Sequence, residues 1–497
     1  MTYIYVKKIT KVMILFEGYK KAIEIYNKYT RLFHLKTPKL LPKNAYFIAK
    51  FLKFADGDAE APLSVFLFHY KYHFKEAEEY FCVLRLDFCY AKIIIIPLIY
   101  NIFALIIYKK KHFFYPKGSM MERLVDFASS APEFRRVSKG NIRHRLSDII
   151  VLTILARASK CLGRAEIIAF GKHNLGRFRS MGMLRNGVPS ESTLCRVEQG
   201  MDELALAERM TEMMETFRGE ASCNGEADIV CVDGKAMRGT TQGNGRNPDM
   251  VSAYSCSAGI TLATEMCGEK SNEITAVPAL LDKLDIPGAI VTADAMSMQK
   301  AVIDKIRERS ADFVIELKAN QRSLRYGVED SIKTHTPVRV HTEGPVLEHG
   351  RIETREYRAY DGHGIIADRD RWGGNLTVVE FLSETVRKST GDRTSERRLY
   401  VSSLPPNAAR LGSVIRKHWS IESMHWSLDC HLKQDGIKRK TTRSARNLDT
   451  LQRVVHALFS TWRRRRKKRA DKARGTAELM RAISVSFTNL MRFMNQK

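Results

Sequence analysis

Asp233 closes the apolar run Ile229-Val230-Cys231-Val232 and Asp294 closes Ala289 to Ala293, so each acid is expected at the end of a short, rigid strand. If those strands are neighbours, the two carboxylates can share cations. Hard oxygen donors select Mg²⁺ or Mn²⁺ over zinc. No histidine and cysteine cluster competes for that assignment, because the nine cysteines, at 82, 89, 161, 195, 223, 231, 256, 267 and 430, show neither C-x-x-C nor finger spacing. They read as buried thiols in a reducing compartment. One such aspartate alone would be ordinary, since turns and helix caps are commonly built on Asp.

A third acid comes from the segment Arg416 to Asp429. At about 100° per residue, His418, Glu422, His425 and Asp429 fall within about 60° of one another on a helix. Ile421, Met424, Leu428 and Leu432 flank this polar stripe on one side and Trp419 and Trp426 on the other, so it is expected to be partly desolvated. A half-buried acidic stripe needs cations. The alternative is a stripe paired with arginines of its own domain.

The elements that must carry these groups form a mixed α/β chain. From Met121 to about Gly219 the pattern is helical, with Leu146, Ile149, Ile150, Leu152, Ile154 and Leu155 on a buried face. Pro189-Ser190-Glu191-Ser192-Thr193 offers a turn and N-cap for a helix carrying Leu194, Val197 and Met201, which either reads DNA or is an ordinary capped core helix. Beyond Gly225 further strands are predicted at 251–255, 260–266 and 313–317, with helices near 274–284 and 298–309. Charged alternating strands between about Thr336 and Ser403 predict a β-rich insertion. Helix returns from Asn407 to about Lys433 and from Asn447 to Trp462. The expected divisions are therefore an N-terminal extension (1–119), a helical domain that would be DNA-binding if its capped helix reads DNA (120–224), the first part of a mixed α/β core (225–335), the insertion (336–404), the helical end of that core carrying the third acid (405–462) and a basic run with a final amphipathic helix (463–497).

The charge balance bounds the partner. With 82 Lys and Arg against 55 Asp and Glu, the 497-residue chain carries a net +27, which makes a polyanion, nucleic acid first, the expected partner. A basic surface also suits a membrane, but the uncharged run Ile93 to Tyr108 has 16 residues, short of the roughly 20 that span a bilayer, and Pro97 and Asn101 interrupt it. Membrane insertion is not expected, and without a cleavable export pattern the protein is expected in the cytoplasm. The extension differs in kind, with 18 Lys and 2 Arg against 19 Lys and 43 Arg in the remainder. That shift suggests a functional protein starting at Met120 or Met121. The run Arg463, Arg464, Arg465, Arg466, Lys467, Lys468, Arg469 would grip phosphates without reading bases, or be a solvated tail. Arg351 and Arg355 would track a DNA backbone, or pair with Glu353 and Glu356.

Six ordered blocks carry a resemblance: Val232-Asp233-Gly234-Lys235 with Arg238-Gly239; Lys270-Ser271-Asn272-Glu273-Ile274; Thr292-Ala293-Asp294-Ala295-Met296; Leu317-Lys318-Ala319-Asn320-Gln321; His349-Gly350-Arg351-Ile352-Glu353-Thr354-Arg355; and His418-Trp419-Ser420-Ile421-Glu422. From about Met121 to Trp462 the chain resembles the H-repeat-associated insertion-sequence transposases, a branch of the DDE transposases with an RNase H-like core. The resemblance implies that Asp233, Asp294 and Glu422 are the catalytic acids holding two Mg²⁺ or Mn²⁺ ions, with a β-rich insertion between the last two. It implies cutting of element ends and joining of the freed 3′-hydroxyl to target DNA. Element terminal repeats and target DNA would be the partners, and a homodimer is expected when ends are paired. Lys235, Arg238, Lys318, Asn320 and His418 become candidates to contact DNA, each otherwise an ordinary surface group, and His425 and Asp429 become accessory candidates. Related insertion sequences often show Arg four before the Glu and Lys seven after it, where this chain has His418 and Asp429; within the branch those two look normal. Gln434-Asp435 stands where the branch tends to show Glu-Asp. Competing readings are a non-transposing nuclease on the same core and a DNA-binding remnant without catalysis.

Overall fold

The computed structural model describes residues 115–497 apart from 222–224, 242–244, 269–272, 349 and 497. The extension's run at 93–108 lies outside the described residues, as do Lys270, Ser271, Asn272 and His349 of the ordered blocks. No helix among the described residues is long and apolar enough to cross a membrane.

Among the described residues six α-helices come first: α1 (Met120–Ser130), α2 (Leu146–Ala158), α3 (Arg164–His173), α4 (Leu175–Ser180), α5 (Glu191–Gly200) and α6 (Glu203–Gly219). The sequence predicts one buried face for α2; instead twelve of its thirteen residues are buried. Neighbours surround it, with α1, α3 and the long C-terminal helix described below all packed against it. Ser190 caps α5 as expected, its Oγ accepting from the Thr193 N–H at 3.2 Å, with Leu194 and Val197 buried.

The sheet follows: β1 (Ile229–Ala236), β2 (Asp249–Ser255), β3 (Ile260–Met266), α7 (Glu273–Asp282), β4 (Ile290–Ala293), α8 (Lys300–Glu308), β5 (Asp312–Leu317) and α9 (Arg322–Ser331). Antiparallel β6 (Arg339–Glu348), β7 (Arg351–Asp361), β8 (Thr377–Arg387) and β9 (Arg393–Ser402) come next, then α10 (Ala408–His418), α11 (Ser420–Leu432), α12 (Thr442–Arg464), α13 (Arg469–Lys472), α14 (Thr476–Ser484) and α15 (Phe487–Met494). The nine strands of the described residues join one sheet in the order β3-β2-β1-β4-β5-β9-β8-β7-β6. The β-rich piece is thus continuous with the core sheet, stitched by the antiparallel β5–β9 pair. Core strands β1, β4 and β5 are parallel to one another and are buried along their apolar stretches, because helices cover the sheet. This is the mixed α/β arrangement that the strand and helix pattern predicts, and the RNase H-like core with flanking helices that the resemblance implies.

Two boundaries differ. The strand of Asp233 does not stop there but runs to Ala236, because β2 keeps pairing with it through Lys235 and Ala236 after β4 has ended. The helix expected from Asn407 to Lys433 breaks at Trp419 into α10 and α11.

Candidate active site

The parallel register sets the two aspartates together. Val232 pairs with Ala293 at the last rung between β1 and β4, so Asp233 and Asp294 are the next residues on strands about 4.8 Å apart. Asp294 then turns into a 3₁₀ segment, Ala295–Ser297, and the Ser297 hydroxyl donates to its Oδ1 at 3.4 Å. Asn320 and Gln321, from the block after β5, donate to the carbonyls of Ala295 and Met298 at 2.6 and 2.8 Å. They brace the loop that carries Asp294. Asn320, named for DNA contact, therefore holds protein backbone here.

Helix α11 packs against β1 and brings the third acid. Glu422 lies in its first turn, exposed, and its charge acts on Asp233. One turn on, His425 places Nδ1 3.6 Å from Asp233 Oδ2. Burial holds this imidazole neutral, with its pKa pushed down to about 3, and its Nε2 is buried without a hydrogen-bond partner.

Asp233 is the most perturbed acid of the group. Burial above all, then the charges of Glu273 and Asp294 and finally Glu422, push its carboxyl up to about 7, against the partial relief of the Gly234 N–H. Glu273 is a member the residue spacing did not reveal: it sits in one of the ordered blocks, but only the folded chain lays its carboxyl against Gly234, where a Cβ would run into Oε1. Among the described residues no three His, Cys, Asp or Glu side chains already stand at metal-ligand spacing. The donor set nevertheless suits a hard divalent cation. The charges of Glu273, Asp294 and Glu422 all bear on the part-buried Asp233, and the cation beside it, Lys235, is bound to Asp435 at 2.8 Å and Asp429 at 3.1 Å.

The raised pKa of Asp233 has a measurable sign. Without metal the fold is favoured while this carboxyl keeps its proton, fully so below about pH 4, and that stability is lost as pH rises through about 7. In EDTA, Asp233→Asn should therefore melt several degrees above the parent protein at pH 8, with the gap closing toward pH 5. Equal melting temperatures at pH 8 would contradict it.

Other sequence-predicted positions divide. His418 leaves the stripe, because the break at Trp419 ends its helical phase with Glu422; its Nδ1 instead meets Thr292 Oγ1 at 2.9 Å, behind Asp294, and burial lowers its pKa to about 4. A neutral, inward imidazole is poorly suited to gripping phosphate. Lys235, as noted, is committed to two aspartates. Arg355 is buried and paired with Glu353 on its own strand and Glu343 on β6. Arg238, Arg351 and Lys318 are exposed, Lys318 with Glu316 as a partner at 2.9 Å.

The basic run divides: Lys467, Lys468 and Arg469 are exposed, but the four arginines before them are engaged with the protein. Arg463 donates to Thr476 Oγ1 at 3.0 Å, Arg464 to the carbonyls of Ala258 and Phe217 at 2.8 and 2.7 Å, and Arg465 to Glu220 at 2.6 Å and the Gln496 carbonyl at 3.0 Å. Arg466 lies over the Trp462 ring at 4.5 Å. These guanidiniums tie the C-terminal helices to the body of the protein. Gln434 is likewise structural, buried and donating to Asp449 Oδ1 at 2.8 Å, away from the acid cluster.

Comparison with known proteins agrees with the geometry. A family model described as "Transposase DDE domain" matches residues 224–448, and one described as "DDE_Tnp_1-associated" matches 129–214. The chain is 31% identical over 353 residues to the "Putative transposase YncI" of Escherichia coli O157:H7, covering 68% of this chain and 87% of that protein. It is 30% identical over 329 residues to the "H repeat-associated putative transposase YhhI" of Escherichia coli strain K12, covering 64% and 85%. Among solved structures, a piggyBac transposase synaptic complex with hairpin DNA aligns at 10% identity and a TM-score of 0.40, covering 77% of this chain and 82% of that one. DDE transposases generally use a divalent metal, which the acid cluster here fits. On the strength of these relatives, the chain belongs to the H-repeat-associated transposases of the DDE family.

Proposed function

We propose that this transposase cuts DNA at the ends of its insertion sequence by phosphodiester hydrolysis and joins the freed 3′-hydroxyl to target DNA, with Asp233, Asp294 and Glu422 as the metal-holding acids. The observation that carries the reading is the β1–β4 register, which sets Asp233 beside Asp294 while α11 brings Glu422 within electrostatic reach. Two Mg²⁺ or Mn²⁺ ions, when bound, would supply the charge that activates the attacking water or hydroxyl and stabilises the leaving oxygen. The chain's own part is to hold three carboxylates on rigid elements, braced by Asn320 and Gln321 behind Asp294 and by the neutral His425 beside Asp233. Each step exchanges one phosphorus–oxygen bond for another: water displaces the 3′-oxygen, which leaves as a hydroxyl, and that hydroxyl then displaces a 3′-oxygen of the target. No covalent enzyme intermediate is required.

DNA would be held by the exposed cations. Arg351 lies directly across the β7–β8 ladder from Arg387 at the tip of the insertion, next to Lys388. Like charges placed opposite one another cost stability in a sheet, and a phosphate between them would relieve it. Replacing Arg351 and Arg387 by Gln should weaken DNA binding alike on all sequences and lower the slope of log affinity against log salt by about 2. An unchanged slope would remove the tip from the DNA path. Pairing of two ends makes a homodimer the expected assembly.

The test is incubation with the DNA flanking the protein's own reading frame, scoring nicks and joined products. Both should appear with Mg²⁺ and vanish in EDTA. Nicks without joined products, in Mn²⁺ as in Mg²⁺, would support a nuclease instead.

A further inference from the structure

Gly234, the residue after Asp233, has no local reason to be glycine. It lies inside β1, paired with Val251 of β2, and its backbone is not in the left-handed region. Glycine in a strand interior weakens the strand, and its usual justification there is the close approach of another group. That group is Glu273. A Cβ at position 234 would run into Oε1 and Cδ of Glu273, so a side chain there would push the flexible end of Glu273 aside from its present place.

The placement is held from a distance. Glu273 opens α7, whose Val277, Leu280 and Leu281 are buried and which packs on β2 and β3. The helix thus delivers a carboxylate to the surface where Asp233 and Asp294 stand. Asp294 and Asp249 both repel it, and no described lysine or arginine forms an ion pair with it. Half-buried carboxylates gathered without a basic partner among the described residues call for a cation.

We infer that Glu273 is a fourth carboxylate ligand of the divalent cation held by Asp233 and Asp294, and that position 234 is glycine to admit it. This rests on the metal reading of the three acids, and the two stand or fall separately in one experiment. Mn²⁺ binding to the full-length protein is titrated by the electron paramagnetic resonance signal of free Mn²⁺, for the parent, Asp233→Asn, Glu273→Gln, Glu273→Ala, Gly234→Ala and the double variant Gly234→Ala/Glu273→Ala. Melting in EDTA reports folding.

Glu273→Gln is isosteric and should fold as the parent does while binding Mn²⁺ about tenfold or more weakly. Gly234→Ala should lose affinity to a similar extent, and the double variant should bind no more weakly than Glu273→Ala alone, because both changes remove the same carboxyl. If Asp233→Asn loses binding while Glu273→Gln keeps parental affinity, Glu273 is not a ligand and the inference is overturned, with the three-acid reading intact. Parental affinity in Asp233→Asn would overturn both. Additive losses in the double variant would overturn the assignment of Gly234.

Discussion

Asp233→Asn should lower cleavage of element-end DNA by on the order of a thousandfold or more, while affinity for the same DNA stays within about twofold. Asparagine keeps the shape of the side chain and its place on β1. What it removes is the charge, which cannot be replaced from nearby, since Asp294 and Glu422 act on the same cluster from β4 and α11. Measured as single-turnover cleavage alongside a gel-shift titration, the split between chemistry and binding separates a catalytic loss from a folding defect. Asp294→Asn and Glu422→Gln should behave alike, and the three losses should be far from additive, because the acids act as a unit. Cleavage within tenfold of the parent in Asp233→Asn would mean that another group carries the reaction.

Arg453→Met should cost about 3–5 kcal/mol of stability, read from denaturant unfolding. Arg453 and Asp449 are both fully buried on α12, with Nε donating to the two carboxylate oxygens at 2.9 and 2.8 Å. The same guanidinium donates to Thr261 Oγ1 on β3 at 3.0 Å and meets Met424 Sδ on α11 at 3.6 Å. Removing it strands the Asp449 charge at a junction of the sheet, α11 and α12, where Gln434 is the remaining donor among the described residues. Asp449→Leu/Arg453→Met, which removes both charges, should recover most of the loss. A single variant as stable as the parent would show that the pair does not lock α11 in place.

The parts of the site legible in sequence share a physical basis. A parallel strand covered on both faces reads as an unbroken apolar run, so the first polar residue after it is conspicuous, and Asp233 and Asp294 stand out for that reason. Glu422 shows through helical periodicity, because Ile421, Met424 and Leu428 bury one side of α11 while it stays outside.

What local pattern did not reveal is set by contacts between distant segments. Periodicity over a continuous helix puts His418 in register with Glu422, but the chain turns at Trp419 to fit α10 under the sheet and α11 beside β1, and His418 ends against Thr292. The arginines from 463 to 465 look like a free tail because their partners, Phe217, Ala258, Glu220 and Gln496, are remote in sequence. Glu273 and Gly234 are each unremarkable alone and meet only when α7 packs over β2 and β3.

The measurement that bears most directly on the three-acid centre is an anomalous-difference map of crystals of the protein with element-end DNA and Mn²⁺. Manganese peaks should lie about 2.0–2.3 Å from carboxylate oxygens of Asp233, Asp294 and Glu422 together. Peaks that leave out any one of the three, or that lie away from the β1–β4 edge, would contradict the shared metal centre.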